Sequence, residues 1–329
     1  ALGRDAGALL ELDRRNYYAQ LSQSTLAFIR WRTAGLTLGE QLANFLHVPA
    51  APASEAELAL LRKQIRRELT ELGLDGDLSA QYREWQERVR APTDEVEDVL
   101  LEFCREAWDR TERVLEIPAP RSDGMRVQAV SGVAFNARCN YLARTVELNT
   151  DPILTRPGLK HLALHECYPG HYVQFKLREA WYAAGRAPAD GLLSVVNTAS
   201  SSPFEGIADH GIYLLDWFDG ADDHVQHLLS RYRAGIGTVA AWKLHALGEP
   251  EAEVAVWLRA HSLGGDEGWV QNRMKFISAP ARSVLIWSYW WGQSVVTTAW
   301  QAVEPARRAQ YLEFLYGRMH SPQTVSMFF

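Results

Sequence analysis

The segment from His165 to Gln174 constrains this chain more than any other, because it places two helix-breaking residues between two histidines. It reads His-Glu-Cys-Tyr-Pro-Gly-His-Tyr-Val-Gln. Two histidines with a glutamate beside the first are typical of zinc hydrolases, in which the imidazoles bind the metal and the carboxylate activates a water. In the common spacing the two histidines are four residues apart, on one face of a helix.

The second histidine of this segment lies six residues after the first, which a straight helix does not accommodate. At about 100° per residue, His165 and His171 would point about 240° apart and could not bind the same ion. Pro169 removes a backbone donor and Gly170 adopts dihedral angles that other residues avoid. We therefore expect the helix to break at these two residues and His171 to return toward the metal.

The pattern His-Glu-x-x-Pro-Gly-His-x-x-Gln resembles that of the bacterial domain-of-unknown-function 885 family, which is similar to the gluzincin zinc metallopeptidases. Further segments of the chain resemble the same family, namely Val146–Asp151, Thr155–Leu159 and Phe204–Gly206. The resemblance covers about residues 140–320, with gaps. It implies Glu205 as the third zinc ligand. It also implies a gluzincin- or neurolysin-like fold, a single mainly helical domain with a small β-sheet and a central active-site cleft.

The chemistry of zinc catalysis agrees with that ligand set. A catalytic zinc has three protein ligands and one open position, and two histidines with one glutamate are a standard combination. His₂Glu also favours zinc over Mn²⁺ or Co²⁺. Glu166 would take a proton from the activated water and pass it to the leaving amine.

Four residues outside this set are candidates for substrate chemistry. Tyr289 lies in a segment that resembles the C-terminal block of the family, and it is the candidate donor to the oxyanion of the reaction. His245 is either a second transition-state donor or a structural histidine. Arg273 and Arg282 are candidates for binding a substrate carboxylate through paired hydrogen bonds.

Two observations leave alternatives open. His161 and His165 are four residues apart, so His161 could replace His171 as a ligand, although the Pro-Gly pair would then have no purpose.

The chain also departs from the family pattern, with Ile207 where relatives have tryptophan and Ala241 where they have aspartate. If that aspartate orients a metal ligand in relatives, its support is altered here, and a specialised substrate becomes credible.

The amino-acid composition limits the class of protein and indicates its cellular compartment. The 329 residues are 47% hydrophobic and 22% charged, as in a globular protein with a large core. A net charge of −6 argues against nucleic acid as the main partner. Three cysteines without a CxxC pair do not form a disulfide framework, so we predict a reducing, cytoplasmic location. Cys167, inside the metal motif, is interpreted as a small buried packing residue.

Neither the N-terminal residues nor the longest apolar stretch of the sequence indicates a membrane anchor. The residues Ala1–Asp5 contain no apolar run of the kind that opens a secretory leader. The apolar stretch Ser283–Trp300 approaches membrane length, but Ser288, Tyr289 and Gln293 within it are better explained by a core helix. We expect no membrane partner.

The chain is predicted to be one unit, with a helical scaffold at 1–120 and the metal site within 121–329. A capping box at Ser54 and Glu57 opens one helix and Thr93 opens another. Alternation in Met125–Leu148 predicts short strands, and Asn149–Pro157 is a loop. Helices are predicted at about 172–184, 203–219, 222–246, 250–262, 267–276, 281–302 and 304–318, with Gly264-Gly265 as a break.

These features predict a zinc-dependent hydrolase of the metallopeptidase type that cleaves a peptide or related amide bond, with carboxypeptidase-like or dipeptidase-like action preferred. One alternative is a specialised small-molecule amide hydrolase or biosynthetic zinc enzyme. The other is a catalytically inactive zinc- or peptide-binding protein that keeps the fold.

Overall fold

The computed structural model describes residues 11–264, 266–280 and 282–328, together with Asp5, Gly7 and Leu9. Three of the sequence predictions fall partly outside these residues. They are the absence of a leader at Ala1–Asp5, the second glycine of the Gly264-Gly265 break, and the first residue of the helix predicted at 281–302.

Helices account for most of the described chain, which confirms the predicted mainly helical class with a small sheet. Two of them continue into a π-helical turn, α2 through Leu42–Leu46 and α6 through Ala163–Cys167. The helices are α1 Leu12–Ala34, α2 Leu38–Gln41, α3 Glu55–Glu71, α4 Leu78–Arg88, α5 Val96–Thr111, α6 Arg156–Leu162, α7 His171–Ala183, α8 Ser201–Asp209, α9 Gly211–Leu214, α10 Ala221–His245, α11 Glu251–His261, α12 Glu267–Ser278, α13 Ile286–Ala302 and α14 Arg308–Gly317.

Local capping chemistry explains several of these boundaries. The predicted capping box is confirmed, since Ser54 accepts from the Glu57 backbone and the Glu57 side chain returns to Ser54. Thr155 caps the helix that leads into the metal motif by accepting from the Gly158 backbone at 3.1 Å. The start predicted at Thr93 is wrong by three residues, because the chain makes a turn there before α5 begins at Val96.

The predicted short strands form one three-stranded sheet. Its strands are β1 Arg126–Val130, β2 Ala137–Asn140 and β3 Thr145–Asn149, in the order β1-β3-β2. β3 pairs in parallel with β1 and antiparallel with β2. β2 is therefore an edge strand, and one side of its backbone is available to other groups.

Two large groups of buried side chains fill one compact domain, and a third, small group surrounds Tyr17. The first packs α3, α4, α10, α11 and α12 around Trp85, Trp269 and Trp287. The second packs α5, β3, α6, α7 and α14 around Trp108 and Tyr311. The helix α13 contributes side chains to both groups, so it joins them.

α8 and α13 cross in direct backbone contact. A Cβ atom on Gly206 would lie 2.1 Å from the Gly292 carbonyl oxygen, and one on Gly292 would lie 2.1 Å from the Ser202 carbonyl oxygen. Only glycine fits at this crossing. The contact fixes α8, which carries Glu205, against α13, which carries Tyr289.

Within the described ranges, no helix combines the length and apolarity needed to span a membrane. The apolar stretch that raised the question is α13, and its polar residues Ser288 and Gln293 are buried in the protein.

Candidate metal centre

The His165–His171 segment breaks its helix at the expected place. The π-helical turn ends at Cys167, the Tyr168–Pro169 peptide bond is cis, and α7 begins at His171. Between them the chain folds back so tightly that a Cβ atom on Gly170 would lie 1.8 Å from the His165 carbonyl oxygen. Glycine is therefore required at 170. The imidazole rings of His165 and His171 end 4.7 Å apart.

Glu205 completes a three-ligand group with the two histidines. Its Oε2 lies 3.2 Å from His165 Nε2 and 3.4 Å from His171 Nε2, and all three atoms lie within 4.8 Å of one another. Zinc–nitrogen bonds of 2.0–2.1 Å in tetrahedral geometry place neighbouring ligand atoms about 3.3 Å apart. The distances to Glu205 Oε2 therefore fit ligands that surround one ion.

The hydrogen bonding of Glu205 Oε2 also fits a metal. This oxygen is buried, and no hydrogen bond of acceptable geometry reaches it from the described residues, although two imidazole nitrogens are close. A buried carboxylate oxygen without a donor is costly. A cation between the oxygen and the two nitrogens would remove that cost.

Asp209 orients the first histidine. Its Oδ1 lies 2.8 Å from His165 Nδ1, on the opposite side of the ring from the ligand nitrogen. A carboxylate on one ring nitrogen holds the proton there and leaves the other nitrogen free for a metal. Glu205 and Asp209 are four residues apart on α8, so one helical face presents both carboxylates.

The second histidine is held by packing and by the glutamine that ends the motif. The His171 ring stacks on Phe204 with 4.4 Å between ring centroids. Gln174 Nε2 donates to the Phe204 carbonyl at 3.0 Å and lies 3.4 Å from His171 Nδ1. These contacts connect α7 and α8 directly behind the His171 ring.

Burial and the neighbouring charges shift the pKa values of Glu205 and His165. Burial would raise the pKa of Glu205, but the His171 and His165 imidazoles hold it at about 2. Burial would lower the pKa of His165, but Asp209 and Glu205 raise it well above its usual range. Glu205 and Asp209 are therefore ionised carboxylates on opposite sides of the His165 ring, a setting that attracts positive charge.

His161 is the less suitable ligand of the two that the sequence left open. It forms a second possible group with His165 and Asp209, but its Nε2 is 3.8 Å from Asp209 Oδ1. That group would need Asp209 as a ligand, whereas Asp209 is engaged with His165 Nδ1.

A cavity of about 190 Å³ adjoins the metal group at His165. Its lining comes from the approach to β2, the loop before α6, α6 with its π-helical turn, and the facing sides of α8, α10, α12 and α13. The lining residues are Ala134, Phe135, Asn136, Ala137, Pro152, Ile153, Leu154, Thr155, Gly158, His161, Leu162, His165, Glu166, Asp209, Gln226, Ser230, Arg233, Trp269, Asn272, Arg273, Phe276 and Tyr289.

Three of the five other predicted site residues line this cavity. Glu166 does so, and its Oε2 accepts from the Cys139 backbone N–H at 2.7 Å on the outer edge of β2. Tyr289 lies with its ring centroid 6.3 Å from that of His165. Burial, with the charges of Glu205 and Glu166, raises the pKa of Tyr289 well above its usual range, so its hydroxyl remains a donor. Arg273 is the third.

The other two predicted residues lie elsewhere. His245 is the last residue of α10, and its Nε2 is 2.7 Å from the Ile277 carbonyl oxygen. This contact fits a structural histidine, the second of the two roles considered for this residue. Arg282 packs against the Phe276 ring, outside the cavity lining. Ala241, the position at which the family resemblance leads one to expect aspartate, is fully buried in the core, and Asp209 is the carboxylate that contacts His165.

Asp209 and Arg233 are site residues that the sequence reasoning did not identify. The four-residue spacing from Glu205 was a signal that could have identified Asp209. No sequence motif around Arg233 indicated a site residue, because its place on the cavity wall depends on how α10 packs against α12. Cys167 is fully buried with its Sγ 3.5 Å from that of Cys104, as expected of a packing residue.

No family model matches this chain, and no curated protein matches it. Two solved structures share its fold. A candidate lipoprotein from Colwellia psychrerythraea matches 94% of this chain with a TM-score of 0.65 and 13% identity. A candidate lipoprotein of unknown function from Shewanella oneidensis matches 99% with a TM-score of 0.57 and 10% identity. The chain spans 54% of the Colwellia protein and 69% of the Shewanella protein.

A zinc ion that binds this group is expected to displace a proton. Asp209 and Glu205 raise the pKa of His165 and so favour its protonated form, whereas a metal ligand must be neutral. The apparent affinity should therefore rise about tenfold per pH unit for one released proton, up to the pKa of His165. Titration calorimetry in buffers of different ionisation enthalpy measures the release directly. Asp209→Asn is the matched control and should release less, since it removes the charge that raises the pKa.

Proposed function

We propose that this protein is a zinc-dependent hydrolase, similar to gluzincin metallopeptidases, that cleaves a peptide or related amide bond. The observation that carries the proposal is the convergence of His165 Nε2, His171 Nε2 and Glu205 Oε2 at ligand-to-ligand distances, beside a cavity that Glu166 lines. His165, His171 and Glu205 would hold the ion. The chemistry that zinc supplies when bound is an activated water and polarisation of the scissile carbonyl.

The residues around the metal group have separate tasks in this proposal. Glu166 takes the proton of the attacking water and delivers it to the leaving amine. The hydrogen bond from the Cys139 backbone holds its carboxylate at the cavity wall. The Tyr289 hydroxyl donates a hydrogen bond to the oxyanion that develops on the substrate carbonyl. Asp209 keeps His165 in the tautomer that binds metal.

The size of the cavity favours a small substrate. Pockets for drug-sized ligands span about 300–1,000 Å³. The cavity here is about 190 Å³, which suits a dipeptide or a small amide better than an enclosed longer peptide. A specialised small-molecule amide hydrolase therefore stays within the proposal.

We also propose a reducing, cytoplasmic compartment, on the evidence of cysteine usage. Cys104, Cys139 and Cys167 are all free thiols, although Cys104 and Cys167 are close together. Both structural neighbours are described as candidate lipoproteins, but identities of 13% and 10% do not transfer that description to this chain. Subcellular fractionation of the source cells would check the location.

The test is the metal content of the purified protein, measured by elemental analysis. We expect about one zinc per chain in wild type and a loss of most of it in His171→Ala, because two ligands hold the ion much more weakly than three. His224→Ala is the control, since His224 is an exposed residue outside the metal group, and it should keep its zinc. Zinc-loaded wild type is then screened against dipeptides, tripeptides and N-acyl amino acids.

Wild type that binds no zinc, even after incubation with the metal, would refute the proposal. Stoichiometric zinc without turnover of any amide would favour a non-enzymatic zinc-binding protein instead.

A further inference from the structure

Two guanidinium groups share the wall of the cavity away from the metal ligands. Arg233 lies on the face of α10 that also presents Gln226 and Ser230, at seven- and three-residue spacings. Arg273 lies on the face of α12 that also presents Trp269 and Phe276. The two helices therefore direct both cations toward one space.

In the described part of the chain, no carboxylate pairs with Arg233 or Arg273, and the Nε atom of each is buried without a hydrogen-bond partner. Arg233 donates from one Nη to the Tyr82 hydroxyl at 2.9 Å, whereas Arg273 contacts the rings of Trp269 and Phe276, each at 5.6 Å. Burial lowers the pKa of Arg273 only to about 10, so it is a cation at neutral pH.

Two other arginines with little solvent contact at their guanidinium groups differ from this pair. Arg178 also has unpaired nitrogens, but it donates to Gln174 and lines no part of the cavity. Arg231, two residues before Arg233 on α10, donates to the Trp290 carbonyl and to Ser294. Two unneutralised guanidinium groups that face the same cavity repel each other, and a bound anion would stabilise both.

Tyr289 connects this part of the cavity to the metal group. Its ring centroid is 6.3 Å from that of His165 and 6.3 Å from that of Phe276, which packs beside Arg273. A substrate whose scissile carbonyl lies at Tyr289 would therefore extend toward the two arginines.

We propose that Arg233 and Arg273 form a carboxylate subsite, which assigns the substrates as N-acyl amino acids or dipeptides with a free C-terminal carboxylate. The inference rests on the proposed hydrolase. Guanidinium groups bind carboxylates through two parallel hydrogen bonds, and two such groups fix both the position and the direction of the ligand. The enzyme would release the C-terminal residue, because the carboxylate belongs to the leaving amine.

The experiment compares three probes by titration calorimetry with zinc-loaded Glu166→Gln protein, in which turnover is blocked. The probes are N-benzoylglycyl-phenylalanine, its C-terminal amide, and N-succinyl-phenylalaninamide, whose carboxylate is at the acyl end. We expect the free acid to bind at least about tenfold more tightly than the amide, as charge-assisted hydrogen bonds allow. Repeating the titrations without zinc separates binding at the arginines from binding of the carboxylate to the metal.

Arginine variants made in the same background locate the preference. Arg233→Gln and Arg273→Gln should reduce the acid-to-amide ratio to within about twofold, while their unchanged affinity for the amide shows that they are folded. Arg273→Lys keeps the charge without the paired geometry and should retain part of the ratio. Arg259→Gln is the matched control, since Arg259 pairs with Glu267 on the protein surface, and it should keep the full ratio.

Equal binding of acid and amide to the parent protein would overturn the inference, as would a preference for the succinyl probe. A preference for the free acid without hydrolysis of any probe by wild type would leave the subsite standing and refute the hydrolase.

Discussion

Zinc-loaded Glu166→Gln protein is expected to keep its metal and to hydrolyse the best substrate with kcat about 10²–10⁴-fold below wild type. Glu166 lines the cavity beside His165 but is not one of the three ligands, so the substitution leaves the metal group intact. Glutamine has the same shape and accepts the Cys139 backbone hydrogen bond through its carbonyl, but it cannot take a proton. Steady-state kinetics and elemental analysis on the same preparation measure both effects.

A second glutamate-to-glutamine change provides the control for Glu166. Glu102 is a surface residue paired with Arg156 at 3.3 Å, and Glu102→Gln should leave kcat and zinc content unchanged. If Glu166→Gln kept more than about a tenth of the wild-type rate, the base would be another group and this assignment would be wrong. A non-enzymatic binding protein would show no turnover in either variant and the same ligand affinity.

Gly206→Ala is expected to destabilise the protein by about 3 kcal/mol or more, at or beyond the upper end of overpacking costs. The new Cβ would lie 2.1 Å from the Gly292 carbonyl oxygen and 2.3 Å from its carbon. These are backbone atoms of α13, so they cannot rotate away as a side chain would. α8 and α13 must separate, and Glu205 then moves relative to the two histidines. Urea denaturation measures the free energy of unfolding, and elemental analysis shows the loss of zinc.

Gly39→Ala is the matched control for this packing argument. Gly39 is also a helical glycine, but the nearest atom to an added Cβ is Ala50 Cβ at 3.6 Å, an ordinary contact. Its free energy of unfolding should change by less than about 1 kcal/mol, since alanine favours helix over glycine. Equal stability of Gly206→Ala and Gly39→Ala would show that the two helices do not cross as described.

The sequence determined the helical class and the break at Pro169–Gly170 because both depend on local chemistry. Apolar spacing, capping residues and a proline–glycine pair act within a few residues of one another. Glu205 was accessible only through the family resemblance, since nothing local distinguishes it among 40 acidic residues. Asp209 was missed although it shares a helical face with Glu205, because its task is visible only once His165 lies across from it.

Tertiary packing decided what the sequence could not. His245 and Arg282 have the right chemistry for the roles predicted, but the packing of α10 and α12 directs them away from the cavity. The same packing brings Arg233 to the cavity wall from a position with no motif around it. A role that depends on which two helices face each other can be assigned only once the fold is known. The spacing of residues within one helical turn can be read from the sequence.

The tight turn over His165 has a consequence for surveys of genomes. A scan for two histidines four residues apart passes over such a chain, because the second histidine lies six residues after the first and begins a new helix. A more suitable query would join His-Glu-x-x-Pro-Gly-His to Glu-Gly-x-x-Asp downstream, since the glycine at 170 and the glycine at 206 are both demanded by backbone contact. Proteins with this histidine geometry are therefore expected to be undercounted wherever the helical spacing alone defines a metal site.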